Sequence, residues 1–245
     1  MIRVGVCGFP RKRAELFQHL DVVEVQKTFY NLVPPESLVR LREEAPPSFV
    51  FTMKAFQGIT HPASSPTYRR TRLPSGFRPE NLGFFQDTEE VATCARFTFE
   101  EAVALQAKVI VFQCPPSFTP TPEHRRNLVR FFERFPRKEV LLAWEPRGKW
   151  RKEDIRVICQ ELDLVHVVDP FGDSPQWGEV VYFRLHGRGS YRYCYSDEEL
   201  RFLAKLLKAS SKDAFCLFNN IPMFENALSL RAILSLFPGD SSGES

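Results

Sequence analysis

Polar side chains recur at one kind of place in this sequence, the ends of short β-branched and aromatic runs. Glu24 shares a strand face with Val22 and Gln26, and Lys54 shares one with Val50 and Thr52. Gln113 follows Val109 and Val111; Glu145 follows Leu141 and Ala143, with Arg147 two residues on. Asp169 follows Val167, Arg184 and His186 follow Tyr182, and Asn219 follows Leu217. Side chains on a strand alternate between faces, so each set lies on one parity. Buried charge costs several kcal/mol unless it is paired or wet. Cations and carboxylates that converge in this way therefore describe a polar pocket.

Carboxylates and imidazole beside cations are the arrangement that tunes pKa values for acid–base work. Glu145, His186, Asp169 and Glu24 are the candidate proton-transfer groups. Lys54, Arg147 and Arg184 are the candidate anion-binding groups, Arg being suited to bidentate recognition of phosphate or carboxylate. Gln113, Asn219 and His61 offer hydrogen bonds, while Tyr30 and Trp150 offer an apolar wall for a ring. Plainer roles stand beside these. Strand-end amides cap loops, His61 and His186 can be structural, and Lys54 with Glu145 can be an internal ion pair. If the pocket is functional, replacing Arg184 or Glu145 is expected to remove ligand binding and spare the fold.

A divalent metal on Glu24, Glu145, Asp169 and His186 is the weaker reading, because the interleaved cations compete for the carboxylates. No cofactor is evident, since no glycine-rich phosphate loop follows the first strand and no Gly-x-Ser-x-Gly elbow occurs. The six cysteines show no Cys-x-x-Cys spacing, so no zinc or redox motif is indicated.

The elements that must position these residues alternate along the whole chain. Strand patterns fall at Arg3–Gly8, Val22–Thr28, Phe49–Lys54, Lys108–Gln113, Val140–Glu145, Leu164–Asp169, Val180–His186 and Ala214–Asn219. Helical patterns lie between them. Thr121-Pro122-Glu123 opens one with an apolar stripe of Leu128, Phe131, Phe132 and Phe135, and Ser196 with Glu199 forms a capping box for another. Eight strand–helix units predict a single parallel (β/α)8 barrel of the TIM type over residues 1–238, with a frayed polar tail at 239–245. Such barrels carry their sites at the carboxyl ends of the strands. Two connections are irregular. Residues 170–179 are too few for a standard crossover helix. Residues 57–81 are rich in Pro, Ser, Thr and Arg without a periodic apolar face, which reads as a lid or substrate loop.

At 245 residues, with 43% hydrophobic and 26% charged residues, the chain has the composition of an ordinary single domain. Its 23 phenylalanines read as core. A net charge of +3 permits anionic ligands without announcing a nucleic-acid binder. The five arginines between Arg125 and Arg137 read as a solvated outer helix face. No apolar run spans a bilayer and no signal peptide is apparent, so a cytoplasmic protein without membrane partners is expected. Oligomeric state is left open.

Several motifs occur in a fixed order: Val23-Glu24-Val25-Gln26-Lys27-Thr28-Phe29-Tyr30, Phe51-Thr52-Met53-Lys54 with Ile59-Thr60-His61, and Phe112-Gln113-Cys114-Pro115-Pro116-Ser117-Phe118. Trp144-Glu145-Pro146-Arg147 with Trp150, Phe183-Arg184-Leu185-His186-Gly187, Tyr195-Ser196-Asp197-Glu198-Glu199-Leu200 and Phe218-Asn219-Asn220 follow. From about residue 3 to 237 the sequence resembles the YecE-like proteins, the domain of unknown function 72. The resemblance implies a TIM-barrel-like fold with a polar pocket at its carboxyl end and no settled activity. This chain departs from the family pattern twice. Gln26 and Lys27 replace the Asn and Ser of Glu-Ile-Asn-Ser-Thr-Phe-Tyr. The Glu-Phe-Arg-His-x-Ser-Trp stretch is shortened, so Gly148 stands near the place of its histidine, which shifts the proton-transfer role towards His61 or His186.

Three functions remain in view. The favoured one is a hydrolase-, lyase- or isomerase-type enzyme using acid–base chemistry on a small anionic or sugar-phosphate-like substrate. The second is a nucleic-acid-processing or nucleic-acid-binding protein, supported by Arg69-Arg70-x-Arg72 and a likeness in fold to barrel endonucleases. The third is a non-catalytic metabolite-binding module.

Overall fold

The computed structural model describes residues 1–137 and 139–236. The tail expected at 239–245 lies outside these residues. Eight strands, β1 (Ile2–Cys7), β2 (Val22–Val25), β3 (Val50–Lys54), β4 (Val109–Gln113), β5 (Leu141–Glu145), β6 (Val165–Val168), β7 (Val181–Leu185) and β8 (Ala214–Phe218), close a barrel in sequence order. Every pairing is parallel, and β1 meets β8 through the register Ile2 to Ala214 up to Val6 to Phe218.

Helix α1 (Arg13–His19) joins β1 to β2, and a helical turn α2 (Lys27–Tyr30) with α3 (Pro35–Glu44) leads to β3. A second buried turn, α4 (Gln57–Thr60), and the long α5 (Glu89–Leu105) precede β4. Then come α6 (Pro122–Arg134), α7 (Lys152–Glu161), α8 (Asp197–Ala209) and α9 (Met223–Leu236), with no helix between β6 and β7. The expected caps form. The Thr88 and Thr121 hydroxyls accept backbone N–H groups at the starts of α5 and α6, and Ser196 with Glu199 completes the capping box of α8.

Two apolar cores follow from strand parity. Outward-facing strand residues pack under the helices. Between β4 and α6 this layer is mostly phenylalanine: the Phe112 ring lies 5.0 Å from Phe132, 5.3 Å from Phe135 and 5.6 Å from Phe131. Burying each such ring is worth roughly 1.5–3 kcal/mol, so the abundance of phenylalanine is accounted for by packing. Inward-facing Val22, Val109, Val111, Val167, Tyr182 and Leu217 fill the barrel itself. The arginines of α6 face outward, and among them Arg134 pairs with Asp87 at 2.8 Å and Arg125 with Asp154 at 2.9 Å.

The connection after β3 is more ordered than its composition implied. Gln57 to His61 is buried. The returning chain docks on it through backbone bonds from Gly83 to Gly58 (2.8 Å) and Phe85 to Ile59 (2.9 Å). Gly83 sits at φ +87°, and a Cβ there would strike the His61 backbone. The overhanging segment thus begins after His61, not at Gln57.

Candidate functional site

The turn at the end of β2 sets the floor of the barrel mouth. The Thr28 hydroxyl donates to the Lys54 carbonyl at 2.7 Å, tying α2 to the end of β3. This places the Phe29 ring face 3.5 Å from Lys54 Nζ. Lys54 Nζ donates to Gln113 Oε1 at 2.8 Å, and Gln113 Nε2 donates to Glu145 Oε2 at 2.8 Å. His186 Nε2 lies 3.1 Å from Glu145 Oε1, and Asn219 Nδ2 lies 3.1 Å from His186 Nδ1. With the Asn219 amide so oriented, the imidazole proton sits on Nε2 and is donated to Glu145.

A charged layer lies beneath. Arg184 is 1% exposed and Glu24 fully buried. Arg184 donates to Glu24 Oε1 at 2.9 Å and, through its other terminal nitrogen, to Glu145 Oε2. The Tyr182 hydroxyl donates to Glu24 Oε2 at 2.9 Å and lies 2.8 Å from the Thr52 hydroxyl. Gln26 also donates to Glu24 Oε1. The network therefore runs without a break from Thr52 in the barrel interior to Asn219 at the mouth.

Above the floor opens a cavity of about 720 Å³. Its walls include Tyr30, His61, Tyr191 and Met223, and two arginines, Arg70 and Arg147, border it. Arg147 is exposed and lies 3.9 Å from Glu145 Oε1, while the Arg70 guanidinium stands 5.9 Å from the Tyr30 ring.

The environment sorts the titratable groups. Burial alone would raise the Glu145 carboxyl, but Arg184, His186 and Arg147 override it and hold that group well below the usual carboxylate range. Lys54 is pulled from 10.5 to about 7, first by burial and then by the Arg184 charge, with Glu24 and Glu145 only partly opposing. Burial, with Lys54 and Arg147, lowers His61 to about 3, so its ring stays neutral at physiological pH. Burial disfavours the Arg184 cation, yet Glu145 and Glu24 hold it firmly protonated.

Lys54, Gln113, Glu145, His186, Asn219, His61, Tyr30 and Arg147 are thus brought together, and four expected residues stand elsewhere. Arg184 and Glu24 neutralise one another below the floor, so neither is free to meet an anion or a substrate proton. The Asp169 carboxylate caps the loop that replaces a crossover helix, accepting the N–H groups of Phe171 (3.0 Å) and His186 (3.4 Å). Trp150 donates its indole N–H to the Phe118 carbonyl at 2.7 Å and packs edge-on to Trp144. It is not part of the cavity wall. Gly148 is pressed on the same Phe118 carbonyl so closely that a Cβ would collide with it. A side chain in place of the missing family histidine has no room there. The four residues considered as metal ligands do not converge, and no group of three or more such ligands occurs among the described residues.

Sequence reasoning passed over Phe29 and Arg70 as site residues. Phe29 lay within the motif ending at Tyr30, and Arg70 within the noted basic stretch. Tyr182 served only as a parity marker, since a tyrosine in an apolar strand gives no sign that its hydroxyl serves a buried carboxylate.

The family model described as Protein of unknown function DUF72 matches residues 10–240. The chain belongs to this family. The UPF0759 protein YunF from Bacillus subtilis (strain 168) is 22% identical over 99% of this chain and 97% of its own. A DUF72 family protein from Enterococcus faecalis V583 superposes with a TM-score of 0.75 at 22% identity, covering 97% of this chain and 98% of that one. Endonuclease IV from Thermus thermophilus shares the barrel more distantly, with a TM-score of 0.54 at 14% identity over 95% and 98% of the two chains. At these identities the solved structures show the fold alone. No helix among the described residues is long and apolar enough to cross a membrane.

Proposed function

We propose that the barrel mouth of this DUF72 protein is an acid–base active site for a small anionic substrate. One observation carries the reading. A buried, ionised Glu145 holds His186 on one side and, through Gln113, Lys54 on the other, at the floor of a cavity bordered by Arg147 and Arg70. The two arginines take the substrate's phosphate or carboxylate, a role expected of Arg184 from sequence but closed to it by burial. His186 carries a proton through Nδ1. Asn219 turns its amide oxygen to that nitrogen when the ring is charged, and Glu145 stabilises the imidazolium. Burial of Lys54 and Glu145 at the floor strengthens these interactions.

The test is a thermal-shift series in phosphate against chloride at matched ionic strength, repeated with Arg147→Ala. A ligand that binds only the folded state raises the melting temperature. Phosphate is expected to stabilise the wild type and to lose most of that effect in the variant. Equal shifts in both salts, or an undiminished phosphate shift in the variant, would remove the anionic substrate.

The exposed Arg70 at the cavity border, with exposed Arg69 and Arg72 next to it in sequence, favours one second reading, in which a nucleic-acid strand crosses the mouth. Its signature is a steep loss of oligonucleotide affinity with salt, reduced by about one unit of slope per arginine removed. Turnover of any anionic substrate separates an enzyme from a binding module.

A further inference from the structure

We propose that Lys54 is a nucleophilic amine that condenses with an aldehyde or ketone bearing a phosphate or carboxylate. The inference deepens the acid–base reading and rests on the mouth being the active site. Its geometry is that of a lysine kept from ion pairing. Lys54 is 4% exposed, and among the described residues no carboxylate lies within ion-pair distance of Nζ. Its hydrogen-bond acceptor is the neutral Gln113 oxygen at 2.8 Å. The two acids whose charge reaches it, Glu24 and Glu145, are engaged elsewhere, the first by Arg184, Tyr182 and Gln26 and the second by Arg184, His186 and Gln113. Holding one N–H toward Gln113 leaves the nitrogen lone pair of the neutral amine free for the cavity, which Lys54 lines.

The Phe29 face favours the ammonium form. Burial and the Arg184 charge act the other way and prevail, bringing the group to about 7. Desolvation and a neighbouring cation are the two standard means of making a lysine nucleophilic. Half of the Lys54 side chains then carry a free amine at neutral pH, on the order of 10³-fold more than for an ordinary lysine.

The step balances without a redox partner. The nitrogen lone pair forms the C–N bond while the carbonyl π pair moves to oxygen. One proton passes from nitrogen to oxygen to give the carbinolamine. A second proton, delivered by charged His186, lets the C–O bond break with loss of water and leaves the iminium. That cation draws the electron pair of a bond at the neighbouring carbon. The proton that leaves, or the hydroxyl proton of a departing carbonyl fragment, passes to the now neutral His186, which returns it to that carbon and restores the iminium. Hydrolysis reverses the first steps and frees Lys54.

The full chain is incubated at pH 7 with glycolaldehyde phosphate or with propanal, reduced with borohydride, and mapped by peptide mass spectrometry. Lys54 is expected to carry the reduced adduct at least about tenfold more than exposed lysines such as Lys205, with a labelling midpoint near pH 7. Inorganic phosphate should slow labelling by glycolaldehyde phosphate more than by propanal. In Lys54→Arg the dominant adduct should vanish from the intact mass. Labelling of Lys54 no greater than that of exposed lysines, or an undiminished adduct in the variant, overturns the inference. If the phosphate stabilisation through Arg147 persists in that case, the anionic acid–base site stands without a covalent lysine. If it too is absent, the site assignment itself has failed.

Discussion

Lys54 and Glu145 approach one another at the barrel mouth without touching, because the Gln113 carboxamide stands between them, 2.8 Å from each. The amide satisfies both groups while carrying no charge. The carboxylate is therefore left to Arg184 and His186, and the amine keeps its low affinity for protons.

Replacing the spacer should show this directly. Gln113→Glu puts a carboxylate against Nζ, where an opposite charge at this distance favours the ammonium by roughly 1–3 pKa units. The pH midpoint for Lys54 labelling should rise from about 7 accordingly, and reactivity at neutral pH should fall at least about fivefold. A midpoint that stays near 7 would show that Gln113 does not insulate the pair.

Arg184 is expected to be needed for folding, contrary to what strand parity alone implied. Removing one partner of a buried ion pair typically costs about 3–5 kcal/mol, because the remaining charge is left unpaired. Arg184→Ala leaves Glu24 in that state and Glu145 with only His186 and the exposed Arg147. Its melting temperature should fall by on the order of 10 °C. Adding Glu24→Gln removes one orphaned charge and should restore part of the loss, a non-additivity expected of contacting groups. Calorimetry on the single and double variants decides it. An unchanged Arg184→Ala midpoint would place the arginine outside any essential pairing.

Gly148 offers a test of the shortened loop. A Cβ at this position meets the Phe118 carbonyl, so Gly148→Ala must displace backbone rather than a flexible side chain. Overpacking of this kind costs about 1–3 kcal/mol. The variant should melt several degrees lower and, because Arg147 is the preceding residue, bind phosphate more weakly. A variant as stable as the parent, with unchanged phosphate stabilisation, would show that the loop moves aside freely.

Strand parity made the barrel and the mouth legible before any coordinates. All eight strands form, and every polar residue assigned to the inner face of a described strand points that way. Depth was not legible. Arg184 on β7 and His186 just past its end have the same parity, yet one lies under the floor and the other at the rim, and two residues of rise make that difference. Pairing was hidden too. Glu24 meets Arg184 across 160 residues of sequence. The Phe118 carbonyl that takes the Trp150 indole N–H and presses on Gly148 is likewise visible only in the folded backbone.

A last prediction concerns a buried acid away from the mouth. Glu101 on α5 is 1% exposed; one of its oxygens accepts the Val33 N–H at 2.5 Å and the other, Oε2, has no partner among the described residues. Burial pushes its carboxyl up to about 8, against a smaller opposing effect of the Val33 N–H. A group whose folded pKa exceeds its unfolded one binds more protons in the folded state between the two values. Its stabilising contribution is complete below about 4.5 and is lost progressively as pH rises through about 8. Glu101→Gln keeps an oxygen for Val33 and, like the protonated acid, puts an unpaired donor at the second position. It should therefore match the wild type at pH 5 and exceed it at pH 9 by about 1 kcal/mol or more, roughly 2–4 °C in melting temperature. Parallel melting curves for the two proteins across that range would show Glu101 ionised at pH 5 as at pH 9 and remove the argument.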